Sequence, residues 1–173
     1  NDDIYVSGNL GDSYLGLLVL KNKLKLNHRL EKYFTNQYFK PNIQLKLANQ
    51  IKKFANTSID ISDGLLADLD KMINAQKLSY KLYLKEIPIS KNLKKIIDLN
   101  KLSKVNYISN GDDYQVLFTA SKDMRGIIRK ISIKNRIKLT KIGIIQSVGK
   151  KSSIVDHKNR KISLKNKGYF HQF

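Results

Sequence analysis

The sequence predicts an α/β chain in which a mixed β-sheet is covered by helices. Segments with apolar residues at every second position, as in strands, are interspersed with segments whose apolar residues recur every three or four positions, as in helices. Because the two kinds of segment do not alternate strictly, we expect a mixed rather than a purely parallel sheet. The hydrophobic share of 41% and the presence of only two prolines indicate a folded chain, and 173 residues suit one domain, residues 1–173.

The first half of the chain opens with a predicted strand at Asp3–Ser7, followed by a glycine-containing loop. Asp12 stands where a helix N-cap belongs, ahead of a leucine-rich segment. A polar stretch follows, and residues 44–55 then predict an amphipathic helix with lysines on its outer face. A short strand is expected from Ser58, and a helix from Gly64 onward.

The second half is predicted to contain two further helices, at Asn92–Leu99 and Asp123–Ile131. Its strands are expected in five places: Tyr80–Leu84, Tyr114–Ala120, Ile137–Ser147 and, more weakly, Ser153–Val155 and Lys161–Leu164.

The net charge of +19 raises the hypothesis of a nucleic-acid-binding protein. Only five of the 33 basic residues are Arg, however, and Arg supplies the bidentate contacts that favour phosphate and base recognition. The lysines are spread along nearly the whole chain. We therefore do not expect nucleic acid as the partner, although a basic field would attract phosphorylated small molecules.

The composition excludes several classes of site. The sequence contains no cysteine, which excludes disulfides, thiolate zinc sites and a cysteine nucleophile. No run approaches the roughly 18 consecutive apolar residues of a membrane span, and the first residues lack the pattern of a secretory signal. The three histidines show no metal-ligand spacing. We expect a cytoplasmic protein with no membrane partner.

The most informative segment runs from Asp60 to Leu65, where a predicted strand gives way to a helix. The backbone N–H groups of the first helical turn are expected to be free to face an anion. Two carboxylates on this tight turn, Asp60 and Asp63, suit a hard cation such as Mg²⁺, and the combination suits a nucleoside triphosphate. The alternative is that Asp63 only caps the helix while Asp60 faces solvent at the strand end.

Three other segments are candidates for chemistry. Ser109–Tyr114 carries paired carboxylates after a glycine, which suit a metal or an amine-bearing substrate but also an ordinary polar turn. Gly8–Ser13 is a glycine loop that lacks the endings of a P-loop or a Rossmann turn, so a capped turn explains it adequately. Lys167–Phe173 gathers aromatic residues that form either a packed terminus or a stacking platform.

In order and spacing, four segments resemble the thiamine-monophosphate kinase family: Val6–Ser13, Ile59–Leu65, Gly111–Tyr114 and Gly168-Tyr169. The resemblance covers nearly the whole chain but only the second half of the family's enzyme. That family is part of the superfamily of aminoimidazole ribonucleotide synthetase and selenophosphate synthetase. Its members pair an N-terminal domain, which forms the dimer and much of the ATP site, with a C-terminal α/β domain. The resemblance thus implies that residues 1–173 are a C-terminal domain.

The resemblance also implies roles for five residues. Asp60 and Asp63 match the Mg²⁺-binding carboxylates, Ser62 matches a contact to the ATP phosphates, and Asp112 and Tyr169 match substrate contacts. The implied reaction is in-line transfer of the γ-phosphoryl group of ATP to thiamine monophosphate, without a phosphoenzyme. No catalytic side chain is assigned. The implied partners are ATP, thiamine monophosphate, the N-terminal domain and, for the intact enzyme, a second copy in a homodimer.

The chain departs from the family pattern at Asn110, where glycine is usual, and at Gln115, where Glu is usual. The family's remaining metal-binding aspartates lie upstream of residue 1. We therefore expect the chain to fold but not to turn over unaided. The main alternative is another kinase or synthetase of the same superfamily with a different small-molecule substrate; a non-catalytic domain retained from a split gene is a further one.

Overall fold

The computed structural model of the chain describes residues 2–74 and 76–162. Within them lie six strands: β1 (Asp3–Ser7), β2 (Thr57–Asp60), β3 (Ser79–Tyr83), β4 (Val116–Ala120), β5 (Leu139–Gln146) and β6 (Ser153–Val155). The same part of the chain contains seven α-helices: α1 (Asp12–Leu20), α2 (His28–Phe39), α3 (Leu45–Ile51), α4 (Leu65–Asn74), α5 (Lys91–Leu99), α6 (Lys104–Ile108) and α7 (Arg125–Asn135).

The six strands form one mixed sheet in the order β2-β4-β1-β5-β3-β6. All neighbouring pairs are antiparallel except β3 and β6, which run parallel. The predicted class, a mixed sheet covered by helices, is therefore confirmed. β2 and β4 pair with Asp60 opposite Val116, so the end of β2 lies beside the beginning of β4.

The two faces of the sheet are covered by different helices, as the alternation along β1 shows. Ile4 and Val6 are fully buried in the cluster that contains the apolar face of α4. Tyr5 points to the opposite face and stacks on Phe118 of β4, with ring centroids 5.2 Å apart, in a cluster completed by α3 and α7. Burial on both faces makes β1 a central element of the core.

A third apolar cluster holds α1, α2 and α5 together beside the sheet. Leu15 of α1, Phe34 of α2 and Leu93 of α5 are each fully buried in it. This packing matters for the site, because it fixes α1 and α2 against each other at the end of the sheet where β2 and β4 meet their loops.

Several predicted boundaries are confirmed, and some are wrong. β1 and β6 have the predicted bounds, and the helix predicted over residues 44–55 is shorter, Leu45–Ile51. Two helices, α2 and α6, were not predicted. The strand predicted at Lys161–Leu164 is a single bridge from Lys161 to Val155 as far as the described residues reach. Within residues 2–74 and 76–162, no helix has the length and apolarity that crossing a membrane requires.

Candidate functional site

Two loops at the shared end of β2 and β4 form one side of the candidate site. Because the strands are antiparallel, the loop that leaves β2 meets the loop that enters β4. Backbone hydrogen bonds join the loops: Tyr114 N donates to Ile61 O at 2.9 Å, and Asp112 N donates to Ser62 O at 3.0 Å. These bonds hold the segments Asp60–Leu65 and Ser109–Tyr114 together, although the segments are about fifty residues apart in the sequence.

Asp68 of α4 accepts hydrogen bonds from the loop after β2. The amides of Ser62, Asp63 and Gly64 donate to Asp68 Oδ2 at 3.0, 2.9 and 3.1 Å, and the Asp68 carboxylate is fully buried. These three amides precede α4 and are taken by a carboxylate of the chain. The expectation that the N–H groups of the first helical turn face an anion stays a prediction.

The Asp63 carboxylate lies next to a cation of the chain. Lys71 Nζ donates to Asp63 Oδ2 and, at 3.1 Å, to Asp68 Oδ1. Hydrogen bonds to Asp63 and then to Asp68 raise the pKa of Lys71 above its ordinary value. Any metal ion at Asp63 would therefore share this carboxylate with Lys71 or displace its ammonium group.

A cavity of about 790 Å³ opens beside the two loops, a volume in the range of small-molecule sites. Its lining is polar and aromatic: Tyr14, Leu17, Lys21, Tyr38, Ser62, Asp63, Asn110, Gly111, Asp112 and Tyr114. Three of the five predicted site residues, Ser62, Asp63 and Asp112, therefore meet in one cavity. Asp60 is exposed at the end of β2, outside the described lining, and Tyr169 lies outside the described residues.

Asp63 and Asp112 are close enough to influence each other. Partial burial, and then the charge of Asp63, raise the pKa of Asp112 above its ordinary value. Among the described residues, no group of three or more His, Asp or Glu side chains is arranged to hold a metal ion. Two neighbouring carboxylates nevertheless fit Mg²⁺, which is commonly bound through one or two carboxylates together with phosphates and water.

Asp113, next to Asp112, serves the fold instead of the cavity. Its buried carboxylate accepts hydrogen bonds from Gly11 N at 2.7 Å and Ser13 N at 3.4 Å, so it caps α1 from across the fold. Burial, together with the nearby charge of Asp12, raises the pKa of Asp113 to about 8.

The expectation that Asp12 caps α1 is wrong, since Gly11 holds the N-cap position. The buried Asp12 carboxylate instead accepts hydrogen bonds from Tyr33 Oη at 2.9 Å and Ser90 Oγ at 2.7 Å. Asp12 therefore joins α1 to α2 and to the start of α5.

The chain is similar in sequence and in fold to known proteins. No protein-family model matches the chain. The thiamine-monophosphate kinase of Buchnera aphidicola subsp. Acyrthosiphon pisum is 34% identical over 172 residues, which are 98% of this chain and 52% of that protein. The thiamine-monophosphate kinase of Aquifex aeolicus is 32% identical over 123 residues, 70% of this chain and 40% of that protein. The chain resembles the thiamine-monophosphate kinases.

Solved structures agree with this resemblance. The thiamine-monophosphate kinase of Stenotrophomonas maltophilia K279a has a TM-score of 0.74 at 29% identity, covering 88% of this chain and 49% of its own. AaThiL complexed with AMPPCP and TMP has a TM-score of 0.77 at 27% identity, covering 98% of this chain and 51% of its own. Escherichia coli HypE, at 15% identity and a TM-score of 0.70, shares the fold. The chain thus spans about half the length of the thiamine-monophosphate kinases that it matches.

Most of the cavity wall that the helices contribute was not predicted from the sequence. Tyr14 and Lys21 come from α1 and its C-terminal end, and Tyr38 comes from α2, which was not predicted. A signal for α2 was present: Asn27 accepts a hydrogen bond from Leu30 N at 3.0 Å, the N-cap pattern, and Leu30 and Phe34 fall on one helical face.

Proposed function

We propose that this chain is the C-terminal part of an ATP-dependent kinase that phosphorylates thiamine monophosphate to thiamine diphosphate. The observation that carries the proposal is the cavity in which Ser62, Asp63 and Asp112 meet, in a chain homologous to thiamine-monophosphate kinases over about half of their length. AaThiL is complexed with the ATP analogue AMPPCP and with TMP, which supports ATP and thiamine monophosphate as the two substrates.

In the proposed reaction, a phosphate oxygen of thiamine monophosphate attacks the γ-phosphorus of ATP in line. The bond from the γ-phosphorus to the β–γ bridging oxygen breaks, and ADP leaves. Because both reactants are anions, the main tasks of the protein are to align them and to offset their repulsion. No side chain is required as a nucleophile.

The described residues divide these tasks. Asp63 would hold Mg²⁺ together with the neighbouring Asp112, which also keeps its predicted role as a contact to thiamine monophosphate. Mg²⁺ supplies positive charge between the phosphates when bound. The Ser62 hydroxyl would donate a hydrogen bond to a phosphate oxygen, and Lys21 would add positive charge at the cavity wall. Asp60, predicted as a second metal ligand, and Tyr169, predicted as a substrate contact, keep these roles as proposals.

The half of the relatives that lies outside residues 1–173 is proposed to complete the site. The relatives are about twice as long as the chain, and the described residues contribute two cavity carboxylates where several metal ligands are needed. We therefore propose that an N-terminal domain supplies the remaining ligands and much of the ATP site, that the intact enzyme is a homodimer, and that it works in the cytoplasm.

The test is an assay of thiamine diphosphate formed from ATP, Mg²⁺ and thiamine monophosphate. It would be run with this chain alone, with the upstream half alone, and with the two together. Product is expected only from the pair. Turnover by the chain alone would contradict its dependence on the upstream half. ATP consumption by the pair without thiamine diphosphate would point to a different small-molecule substrate.

A further inference from the structure

Residues 112–115, which lead into β4, alternate between the cavity and the interior. Asp112 and Tyr114 line the cavity, whereas Asp113 and Gln115 are buried, with at most 5% of either residue accessible. The Asp113 carboxylate caps α1. The Gln115 side chain lies at the same end of the sheet but has no part in the proposed reaction. Because a buried amide is normally matched by hydrogen-bond partners, those partners show what Gln115 does.

The Gln115 amide joins β1 to the α2–α3 connection, residues 40–44. Its Oε1 accepts a hydrogen bond from Ser7 Oγ of β1 at 2.8 Å. Its Nε2 donates to the backbone carbonyl of Asn42 at 3.0 Å and, over a longer distance of 3.4 Å, to that of Asp113. The donor and the acceptor of the amide are thus both occupied. A Cβ on Gly8 would overlap the amide, so the side chain is enclosed as well as bonded.

The bond to Asn42 restrains an exposed segment of the chain. Asn42 and Ile43 are both exposed, and Ile43 is 58% accessible. Asn42 O also accepts a hydrogen bond from Gln44 Nε2, but that bond stays within the α2–α3 connection. If the connection moved away from β4, the buried Nε2 of Gln115 would lose its shorter hydrogen bond, and burial of an unpaired donor is unfavourable. Gln115 therefore favours one position of the connection.

The α2–α3 connection follows the turn of α2 that contributes Tyr38 to the cavity lining. Tyr38 lies four residues before Asn42, and Pro41 between them limits the freedom of the backbone. Tyr38 also lies close to α1, because a Cβ added to Gly16 would be 3.1 Å from Tyr38 Cβ. The last turn of α2 is thus held by α1 on one side and, through the connection, by Gln115.

We propose that Gln115 is a positioning residue, which holds the end of α2 so that Tyr38 stays in the cavity lining. The role depends on the donor of the amide. A glutamate, the residue usual in the family at this position, would keep the size and the acceptors, but its carboxylate could not donate to Asn42 O. The inference rests on the proposed function for its kinetic test, and not for its structural one.

Hydrogen–deuterium exchange, read by mass spectrometry, tests the structural part on the chain reconstituted with its upstream half. The variants are Gln115→Met, which removes the amide at similar size, and Gln115→Glu, which removes the donor. The matched control is Ser7→Ala, which removes one hydrogen bond to Gln115 and one to Val116 N but leaves the bond to Asn42. Melting temperatures are measured on all variants.

In both Gln115 variants, residues 40–44 are expected to exchange about tenfold faster, while β4 keeps its protection. Ser7→Ala is expected to leave the exchange of residues 40–44 within about twofold of that of the original chain. In the reconstituted pair, the Gln115 variants are expected to raise the KM for thiamine monophosphate about fivefold and to keep kcat within about twofold, because the loops after β2 and before β4 stay in place.

Unchanged exchange of residues 40–44 in folded Gln115→Met and Gln115→Glu would overturn the inference, as would an equal rise in Ser7→Ala. Faster exchange throughout the chain with a lower melting temperature would mean a merely structural role and would also overturn it. So would faster exchange of residues 40–44 with an unchanged KM, since Tyr38 would then need no positioning. Failure of the proposed function looks different. If the original pair forms no thiamine diphosphate, the reaction is wrong, and the exchange of residues 40–44 still decides the role of Gln115.

Discussion

The Asp63 carboxylate is paired with Lys71 and is also proposed to bind Mg²⁺. Lys71 shares its ammonium group between Asp63 and the buried Asp68, and the same Asp63 carboxylate lines the cavity near Asp112. An ammonium group can hold the loop in place before a metal arrives, because both cations satisfy the same carboxylate. The proposed metal ligand is thus also a structural partner of α4.

The first prediction concerns Asp63→Asn in the reconstituted pair. Removal of the charge is expected to lower kcat/KM for thiamine diphosphate formation by at least about 100-fold, because the asparagine binds Mg²⁺ poorly. The matched control is Asp98→Asn, at an exposed position of α5, which is expected to leave turnover unchanged. Comparable losses in both variants would count against a metal role for Asp63.

The second prediction concerns the buried Asp113. A carboxyl group whose pKa is raised on folding, here to about 8, binds a proton more tightly in the folded than in the unfolded chain. It therefore contributes stability at low pH, and that contribution is lost as the pH rises from the unfolded pKa toward 8. For a single proton the slope is about 1.4 kcal/mol per pH unit at most.

Urea unfolding at pH 5, 6.5 and 8 would check this. Asp113→Asn is expected to show a flatter decline in the free energy of unfolding than the original chain, and Asp98→Asn is expected to keep the original slope. Asp12 and Asp112 also have raised pKa values and contribute to the slope in every variant, whereas Lys104, with its pKa lowered by burial to about 8, acts mainly above this window. Identical slopes for Asp113→Asn and the original chain would refute the prediction.

Asp112 and Asp113 also show what the sequence could not predict at this scale. The two residues are adjacent and chemically identical, and only the resemblance to a family distinguished them. Their roles differ because the left-handed backbone at Asp112 directs it to the cavity, while Asp113 turns inward to the amides of Gly11 and Ser13. The direction in which each carboxylate points depends on contacts with residues about a hundred positions away in the sequence.

At the scale of elements, two glycines allow the loops of the site to meet. Gly64 has φ +118°, and a Cβ there would contact the carbonyl oxygen of Ser109. A Cβ on Gly111 would contact the carbonyl oxygen and carbon of Ser62. Since the obstructing atoms are backbone, the loops would have to separate to admit a side chain.

The third prediction follows from this approach of the two loops. Gly111→Ala is expected to destabilise the fold by about 2–4 kcal/mol and to weaken ligand binding in the cavity, because Ser62 and Asp112 would move apart. Gly126→Ala in α7, where nothing lies within 4 Å of the added Cβ, is the control, expected to be neutral or to stabilise by up to about 1 kcal/mol. Chemical denaturation would compare the free energies of unfolding of the two variants. Equal values would contradict the close approach of the two loops at Gly111.

The elements differ in how well the sequence predicted them. β1 was found with its bounds because Ile4, Tyr5 and Val6 are apolar on both sides of a buried strand. α2 was missed because only a narrow stripe of it packs against α1 and α5, so its polar residues dominate the pattern. A surface helix made mostly of polar residues is hard to recognise in a sequence, even when its capping residue is present.

At the scale of the whole molecule, the cavity is assembled from four distant parts of the chain: α1, the end of α2, the loop after β2 and the loop before β4. Motif spacing could indicate the two loops, because their residue types suit phosphate and metal chemistry. It could not place the helical wall, which depends on the packing of α1 and α2 in the third apolar cluster. The sequence thus predicted the chemical groups of the site better than its shape.

The last prediction concerns the net charge of +19, the one property that belongs to no single element. A chain so basic is expected to bind DNA or RNA without sequence preference at low salt, because neutralising phosphates releases counterions. With only five arginines among the 33 basic residues, that binding should fall steeply between about 50 and 200 mM salt and should not depend on Mg²⁺. Filter binding with two unrelated oligonucleotides, each with and without EDTA, would measure it. Sequence-specific binding that persisted at about 200 mM salt would mean that the charge marks a nucleic-acid site, and the proposed kinase would need a second function.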